Sequence, residues 1–278
     1  MAKTAEPNTT PAPDGRPLVA RTSPLEDRWG RLSIVFGQDG VELLAGKKVL
    51  LFGLGGVGSN CTEALARGGV GHLILIDRDT VAPSNINRQA IAFHSTIGLP
   101  KCQVMEKMVL DINPSCQVET LQAFIPKDGL GEMLSQFPRP DYLIDAIDTV
   151  SQKLVLAKWC QDERIPLLSS MGGANKLDPS RLAFSKIEKT SGDRLAKAMR
   201  KNCRKRGIKG LEVLYSTEKG NGPKPPKTED GKRPDKGLTL GTMSYMPPIM
   251  GQMIAGKVIC RLAGFEPMPY SGEEDLQC

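Results

Sequence analysis

Four glycines at positions 53, 55, 56 and 58 stand in Gly53-Leu-Gly-Gly-Val-Gly58-Ser59, directly behind the apolar run Lys48-Val-Leu-Leu-Phe52. This spacing suits the capture of phosphate. A turn without side chains brings backbone N–H groups, and the positive end of the helix that follows, up to an anion. Asp77 closes the next apolar run, His72-Leu-Ile-Leu-Ile76, where an acid would accept hydrogen bonds from a ribose. Together these residues predict a nucleotide site. They leave open whether the nucleotide is a dinucleotide or ATP.

A second group of residues chooses ATP. Asp79, Asn85, Asn87, Arg88 and Gln89 follow the ribose acid, Lys101 follows Gly98-Leu-Pro, and Asp148 ends the run Tyr142-Leu-Ile-Asp-Ala-Ile-Asp148. The glycine turn largely satisfies a pyrophosphate bridge, whereas a triphosphate calls for more cations and a metal-binding acid. Arg88 would bring a planar fork and Lys101 a compact charge to the β- and γ-phosphates. Asp148 would hold Mg²⁺, a hard cation that takes one or two carboxylates beside phosphates. Arg88, Lys101 and Asp148 are therefore the expected catalytic residues.

The elements that must position these groups alternate along the chain. Val57, Cys61, Ala64, Leu65 and Gly68 repeat at helical spacing behind the glycines, as do Val104, Met105, Met108, Val109 and Ile112. Gln117–Leu121, Tyr142–Ile147 and Pro166–Ser170 read as further strands, with a helix around Leu154 to Cys160. Strands alternating with helices predict an α/β protein: a doubly wound, Rossmann-like, mostly parallel sheet with helices on both faces. The expected organisation is a disordered lead over 1–24, one Rossmann-like nucleotide-binding domain over 25–265 and a tail over 266–278. A mobile basic insertion is expected within the domain at about 190–237.

That insertion concentrates the charge. Residues 194–236 hold fourteen Lys or Arg against five Asp or Glu, while the whole chain of 278 residues carries only +6, so the remainder is mildly acidic. Its first part looks helical as far as Arg206. Arg194, Lys197, Arg200, Lys201, Arg204, Lys205 and Arg206 are the candidate contacts to a nucleic-acid backbone. A solvated helix face would show the same composition, so charge alone does not decide. The seven cysteines form no Cys-x-x-Cys pair and only two histidines occur, which argues against a zinc site and for a reducing, cytoplasmic location. The most apolar late segment is broken by Pro247-Pro248 and carries Lys257 and Arg261, which excludes a membrane span there.

The ordered series Gly53-x-Gly-Gly-x-Gly-Ser59, Asp77-x-Asp79, Ser84-Asn-Ile-Asn-Arg-Gln89, Gly98-x-x-Lys101 and Asp145-Ala-Ile-Asp148 resembles the ubiquitin-activating-enzyme-like adenylating enzymes. The resemblance implies ATP on the glycine loop, its ribose on Asp77, its triphosphate near Asn85, Arg88, Gln89 and Lys101, and Mg²⁺ at Asp148. It implies a homodimer, with Arg28 or Arg31 as candidates to reach the partner's ATP. Further matches at Arg28-Trp-Gly30, Ile112-Asn-Pro114, Leu177-Asp-Pro179 and Val213-Leu-Tyr-Ser-Thr-Glu218 narrow it to the tRNA threonylcarbamoyladenosine dehydratases. Those enzymes activate a threonyl carboxylate in tRNA and cyclise it onto the ureido group. The alternative is an activator of a ubiquitin-like sulfur-carrier protein, served by a cysteine-desulfurase or sulfur-acceptor type of partner. Such activators typically carry two Cys-x-x-Cys pairs, which this chain lacks. Some dehydratases carry a cysteine where Val213 stands; Cys160 and Cys203 remain as thiols. A non-catalytic, ATP-gated scaffold is the third reading.

Overall fold

The structure, a computed structural model, describes residues 27–220 and 240–266. The expected lead over 1–24, the loop beyond Gly220 and the tail beyond Glu266 lie outside the described residues. Seven strands form one sheet in the order β3-β2-β1-β4-β5-β7-β6. They are β1 (Lys48–Phe52), β2 (His72–Ile76), β3 (Gln117–Leu121), β4 (Tyr142–Asp145), β5 (Leu167–Ser170), β6 (Leu182–Lys186) and β7 (Glu212–Ser216). All neighbours pair in parallel except β6, which runs antiparallel to β7.

Both faces of the sheet are covered, which explains the unbroken apolar runs Val49–Phe52 in β1 and Leu73–Ile76 in β2. Side chains alternate across a strand. Val49 and Leu51 join Leu73 and Leu75 on the face covered by α2 (Gly56–Arg67), α3 (Lys101–Ile112) and α7 (Met246–Leu262). Leu50 and Phe52 join Ile74 and Ile76 on the other face, under α4 (Leu130–Leu134) and α5 (Val150–Glu163). An N-terminal helix, α1 (Gly30–Ala45), is kinked at Gly37 and lies before β1.

Two features differ from the sequence expectation. The strand expected over 142–147 stops at Asp145, so Asp148 stands on the loop three residues beyond it. The basic stretch joins two paired strands of the sheet. Its helix, α6 (Arg194–Lys205), is the crossover from β6 to β7, and it buries Ala196, Met199 and Cys203 in a cluster shared with α5 and β7. Arg206 caps that helix instead of extending it.

Candidate functional site

β1 and β4 lie side by side, and the chain leaves them toward opposite edges of the sheet. Such a switch opens a crevice at the carboxyl ends of the strands, where ligands of this architecture bind. The glycine turn fills its floor. Gly53 adopts φ +89°, and a Cβ on it would meet the Ala146 carbonyl oxygen at 2.9 Å. A Cβ on Gly58 would fall 1.7 Å from the Gly53 oxygen. Folding alone demands these two glycines. Gly55 is different: it caps α2, and a Cβ there would find only Gln89 Nε2, at 4.0 Å. Its open side lies at the head of α2, where the first N–H groups lack intrahelical partners.

Asp77 and Ser59 also help to hold the turn in place. Asp77 is buried, and its two carboxylate oxygens accept from Leu54 N (2.5 Å) and Asp79 N (2.7 Å), pinning the glycine turn to the end of β2. Each of these oxygens keeps a further lone pair for a ligand, and the half-exposed Asp79 stands beside them. Ser59 is fully buried; its hydroxyl donates to Gly55 O (2.7 Å) and accepts from Ala90 N (3.0 Å). Asn60, which sequence reasoning missed, donates to Gly56 O (2.7 Å) and Arg88 O (3.0 Å). Ser59 and Asn60 clasp the 82–90 loop onto α2.

That loop carries the polar groups over the turn. Asn85 accepts from Ala82 N (3.0 Å) and Asn87 donates to Thr242 O (3.1 Å), so both amides shape the loop. Arg88 donates to Ser84 O (3.0 Å) and Asn87 Oδ1 (2.8 Å), while its aliphatic stem lies against Gly56. Gln89 is buried with its Oε1 unpartnered. An orphaned acceptor beside the open Gly55 is what a site shaped for a hydrogen-bond donor, such as a ribose hydroxyl, presents.

Lys101 starts α3, its side chain only 6% exposed, with Nζ 3.3 Å from Asp79 Oδ2. Asp79 itself is 51% exposed and also stands 3.3 Å from Arg78 Nε. Asp148 is exposed, accepting only from Thr149 Oγ1 (3.1 Å) among the hydrogen bonds of the described residues. Beside it is an unforeseen cluster: fully buried Lys153 donates to Asp145 Oδ2 (3.0 Å), Ser169 Oγ (3.2 Å) and Ser170 O (2.7 Å).

On α6, Arg194, Lys197, Lys201, Arg204 and Lys205 are exposed, as is the capping Arg206. Arg200 instead turns back to Thr190, donating to its oxygens at 2.7 Å. The helix begins at the carboxyl edge, where Asp193 lies against Gly172 beyond β5, and descends to Gly207 beside Gln161 at the far end of α5. Only its head borders the nucleotide crevice. Asp193 caps it through Ala196 N (2.6 Å), and burial raises the Asp193 carboxyl above its ordinary value.

Of the described thiols, Cys61, Cys102, Cys116, Cys160 and Cys203 are buried and Cys260 is half-buried. Burial pushes Cys102, Cys116 and Cys203 each up to about 11, and Cys61, Cys160 and Cys260 also shift upward from burial. Val213 is buried inside β7. Of the N-terminal arginines, Arg28 donates to Ser115 Oγ (2.8 Å) and lies over the Trp29 ring (5.0 Å), whereas Arg31 is exposed on α1. Among the described residues no helix is long and apolar enough to cross a membrane.

A doubly wound sheet with a capped glycine turn at its switch point defines a nucleotide-binding α/β protein. More narrowly, the chain belongs to the ThiF family, whose profile matches residues 30–274. It is 37% identical over 241 residues to the tRNA threonylcarbamoyladenosine dehydratase of Bacillus subtilis (strain 168), covering 84% of this chain and 94% of that one. It is also similar to crystal structures of E. coli tRNA N6-threonylcarbamoyladenosine dehydratase. In complex with ATP, the likeness has a TM-score of 0.74 at 28% identity, over 88% of this chain and 97% of that one. In complex with AMP, it has a TM-score of 0.76 at 29% identity over the same shares.

Proposed function

We propose that this protein is an ATP-dependent tRNA threonylcarbamoyladenosine dehydratase. The observation that carries the reading is the open face of Gly55 at the head of α2, with Arg88 lying over the adjoining Gly56. The neighbouring pair Lys101–Asp79 supplies a second cation. An anion seated on the turn meets backbone N–H groups, a guanidinium and an ammonium, a set that matches a triphosphate better than a redox carrier's pyrophosphate. Similarity over nearly the full length of the Bacillus enzyme supplies the substrate class.

ATP is consumed here as a substrate. The threonyl carboxylate of the modified adenosine attacks the α-phosphorus; its oxygen bonds to phosphorus and pyrophosphate leaves. The ureido group then closes on the activated carbonyl and AMP departs with the former carboxylate oxygen, so water is lost from the nucleoside overall. Arg88 and Lys101 neutralise charge that grows on the phosphates during the first step, the kind of pre-aimed electrostatics that lowers such barriers most. Asp77, whose oxygens keep lone pairs beyond their bonds to the turn, would accept from the ribose beside the half-exposed Asp79. Asp148, exposed and lightly engaged, fits a Mg²⁺ whose other positions are phosphate oxygens and water.

The exposed cations of α6 would hold the tRNA backbone. Burial of Cys61, Cys102, Cys116, Cys160 and Cys203 speaks against a sulfur-acceptor role for them, and intramolecular cyclisation needs no thioester. Family membership supports a homodimer, to which exposed Arg31 is better placed to contribute than the tethered Arg28. A tRNA substrate and free cysteines fit the cytoplasm.

The test is direct. Purified protein, tRNA bearing threonylcarbamoyladenosine and Mg-ATP yield the cyclised nucleoside by mass spectrometry, with AMP formed in equal amount. Pyrophosphate exchange that instead requires a ubiquitin-like carrier protein contradicts the proposal.

A further inference from the structure

Residues 240–245 form a strap between the nucleotide loop and the segment that follows β5. Asn87 Nδ2 donates to Thr242 O (3.1 Å), and Gly241 and Asn175 exchange two hydrogen bonds of 2.8 Å each. Tyr245 Oη donates to Leu177 O (2.8 Å). Asn175 is held at φ +55°, a left-handed conformation that asparagine tolerates better than most residues. Despite these polar ties the outer surface is apolar. Leu177, Leu240, Met243 and Tyr245 are 48%, 56%, 39% and 37% exposed. Single apolar residues on a surface need no explanation, but four on one hydrogen-bonded unit mark a contact surface.

This unit adjoins both halves of the proposed reaction. Pro247, two positions after Tyr245, packs against Gly56 in the nucleotide turn, where an added Cβ would lie 2.8 Å from its side chain. Gly172, three positions before Asn175, packs against Asp193 at the head of the basic helix, where an added Cβ would lie 3.1 Å from the carboxylate. The strap therefore occupies the ground between the groups that would hold the triphosphate and those that would hold the RNA backbone.

Resting on the dehydratase reading, we infer that the substrate adenosine stacks its base on Tyr245, with Leu177 and Met243 at its edge. Single-stranded RNA loops are recognised through bases laid on aromatic side chains. The Tyr245 hydroxyl, bonded to Leu177 O, fixes the ring before RNA arrives, which lowers the ordering cost of binding. Exposed Arg194 and Lys197 at the head of α6 provide complementary charge for the flanking phosphates. Held there, the nucleoside presents its carboxylate toward the glycine turn.

The experiment compares the wild type with Tyr245→Ala, Tyr245→Phe and Leu177→Ser, all in the full chain. Removing the ring raises KM for modified tRNA about tenfold to a hundredfold and leaves the Kd for ATP within about twofold. The Phe variant, which keeps the ring and loses one hydrogen bond, stays within about threefold of the wild type. An unmodified anticodon stem-loop carrying 2-aminopurine at the target position reads stacking independently of turnover. Its fluorescence is quenched by the wild type and Tyr245→Phe, and much less by Tyr245→Ala. If Tyr245→Ala does not fold, Leu177→Ser must weaken both KM and quenching by itself. Unchanged KM and quenching in the variants overturn the inference. So does a shifted monomer–dimer balance in sedimentation, which makes the patch a surface between protein copies. A wild type that quenches the probe without cyclising tRNA refutes the dehydratase reading and leaves the stacking surface intact.

Discussion

Lys101 and Lys153 each face an aspartate near the carboxyl end of the sheet, yet the two pairs are built for different work. The Lys153 ammonium has three donors and spends all of them inside the protein, on Asp145, Ser169 and the Ser170 carbonyl. No solvent reaches it and no proton is left for a ligand. Lys101 has a buried stem but makes a single hydrogen bond among the described residues, to an aspartate half open to the crevice. One pair is a rivet between β4, β5 and α5. The other is a charge held ready. What separates them is the saturation of the lysine, which only the fold reveals.

The contrast can be broken from either side. Lys153→Met leaves Asp145 buried without its counter-charge and should cost about 3–5 kcal/mol of stability, measured by urea unfolding. Loss of activity in that variant should follow loss of folded protein. Lys101→Ala should do the reverse. AMP formation falls by about a hundredfold to a thousandfold, while stability falls less than in Lys153→Met because the partner left behind, Asp79, is 51% exposed and stays hydrated. A large stability loss in Lys101→Ala, with catalysis intact in the folded fraction, would reverse the assignment of the two lysines.

A third variant sharpens the comparison with the RNA side. Replacing Arg194, Lys197, Lys201 and Arg204 by Glu should weaken tRNA binding about tenfold or more. It should also reduce the slope of log affinity against log salt by about 0.7 for each single-stranded phosphate no longer neutralised. ATP affinity should not change. Arg200, already bonded to Thr190, should contribute less to that slope than its neighbours when mutated alone.

The smallest effect concerns Asp193. Its carboxyl sits above the ordinary aspartate value because burial penalises the charge, despite the hydrogen bond from Ala196 N and the nearby Lys176. The folded state therefore favours the proton. The stabilisation is complete below the unfolded value, about 3.9, and is lost as pH rises through the raised folded value. Asp193→Asn keeps a capping side chain and has no such titration. Urea melts across that range should show wild-type stability declining relative to the Asn variant, and parallel curves would refute the burial argument.

Much of this was legible in the sequence where local rules dominate. The glycine spacing placed the phosphate turn, and continuous apolar runs placed β1 and β2, because a strand covered on both faces admits little else. The same rules failed where tertiary contacts decide. Asp77 and Ser59 lie in a nucleotide fingerprint, which gives no sign of the bonds they also make to backbone groups of the protein itself. Asn60 gave no signal, since its partner, the Arg88 carbonyl, is 28 residues away. The stretch over about 190–237 reads as a charged insertion because its fourteen cations outnumber its ten apolar residues, which hides the packing of α6 and β7 within it. Its buried stripe of Ala196, Met199 and Cys203 contains only small or flexible side chains, which a hydrophobic pattern registers weakly. Tyr245 and Leu177 stand 68 positions apart, and only the fold brings them together.

The most direct measurement follows one oxygen atom. Modified tRNA labelled with ¹⁸O in the threonyl carboxylate, treated with protein and Mg-ATP, should yield AMP carrying one ¹⁸O beside the cyclised nucleoside. Label recovered in inorganic phosphate with ADP, or AMP without label, would show that the carboxylate never bonds to the α-phosphorus seated on this turn.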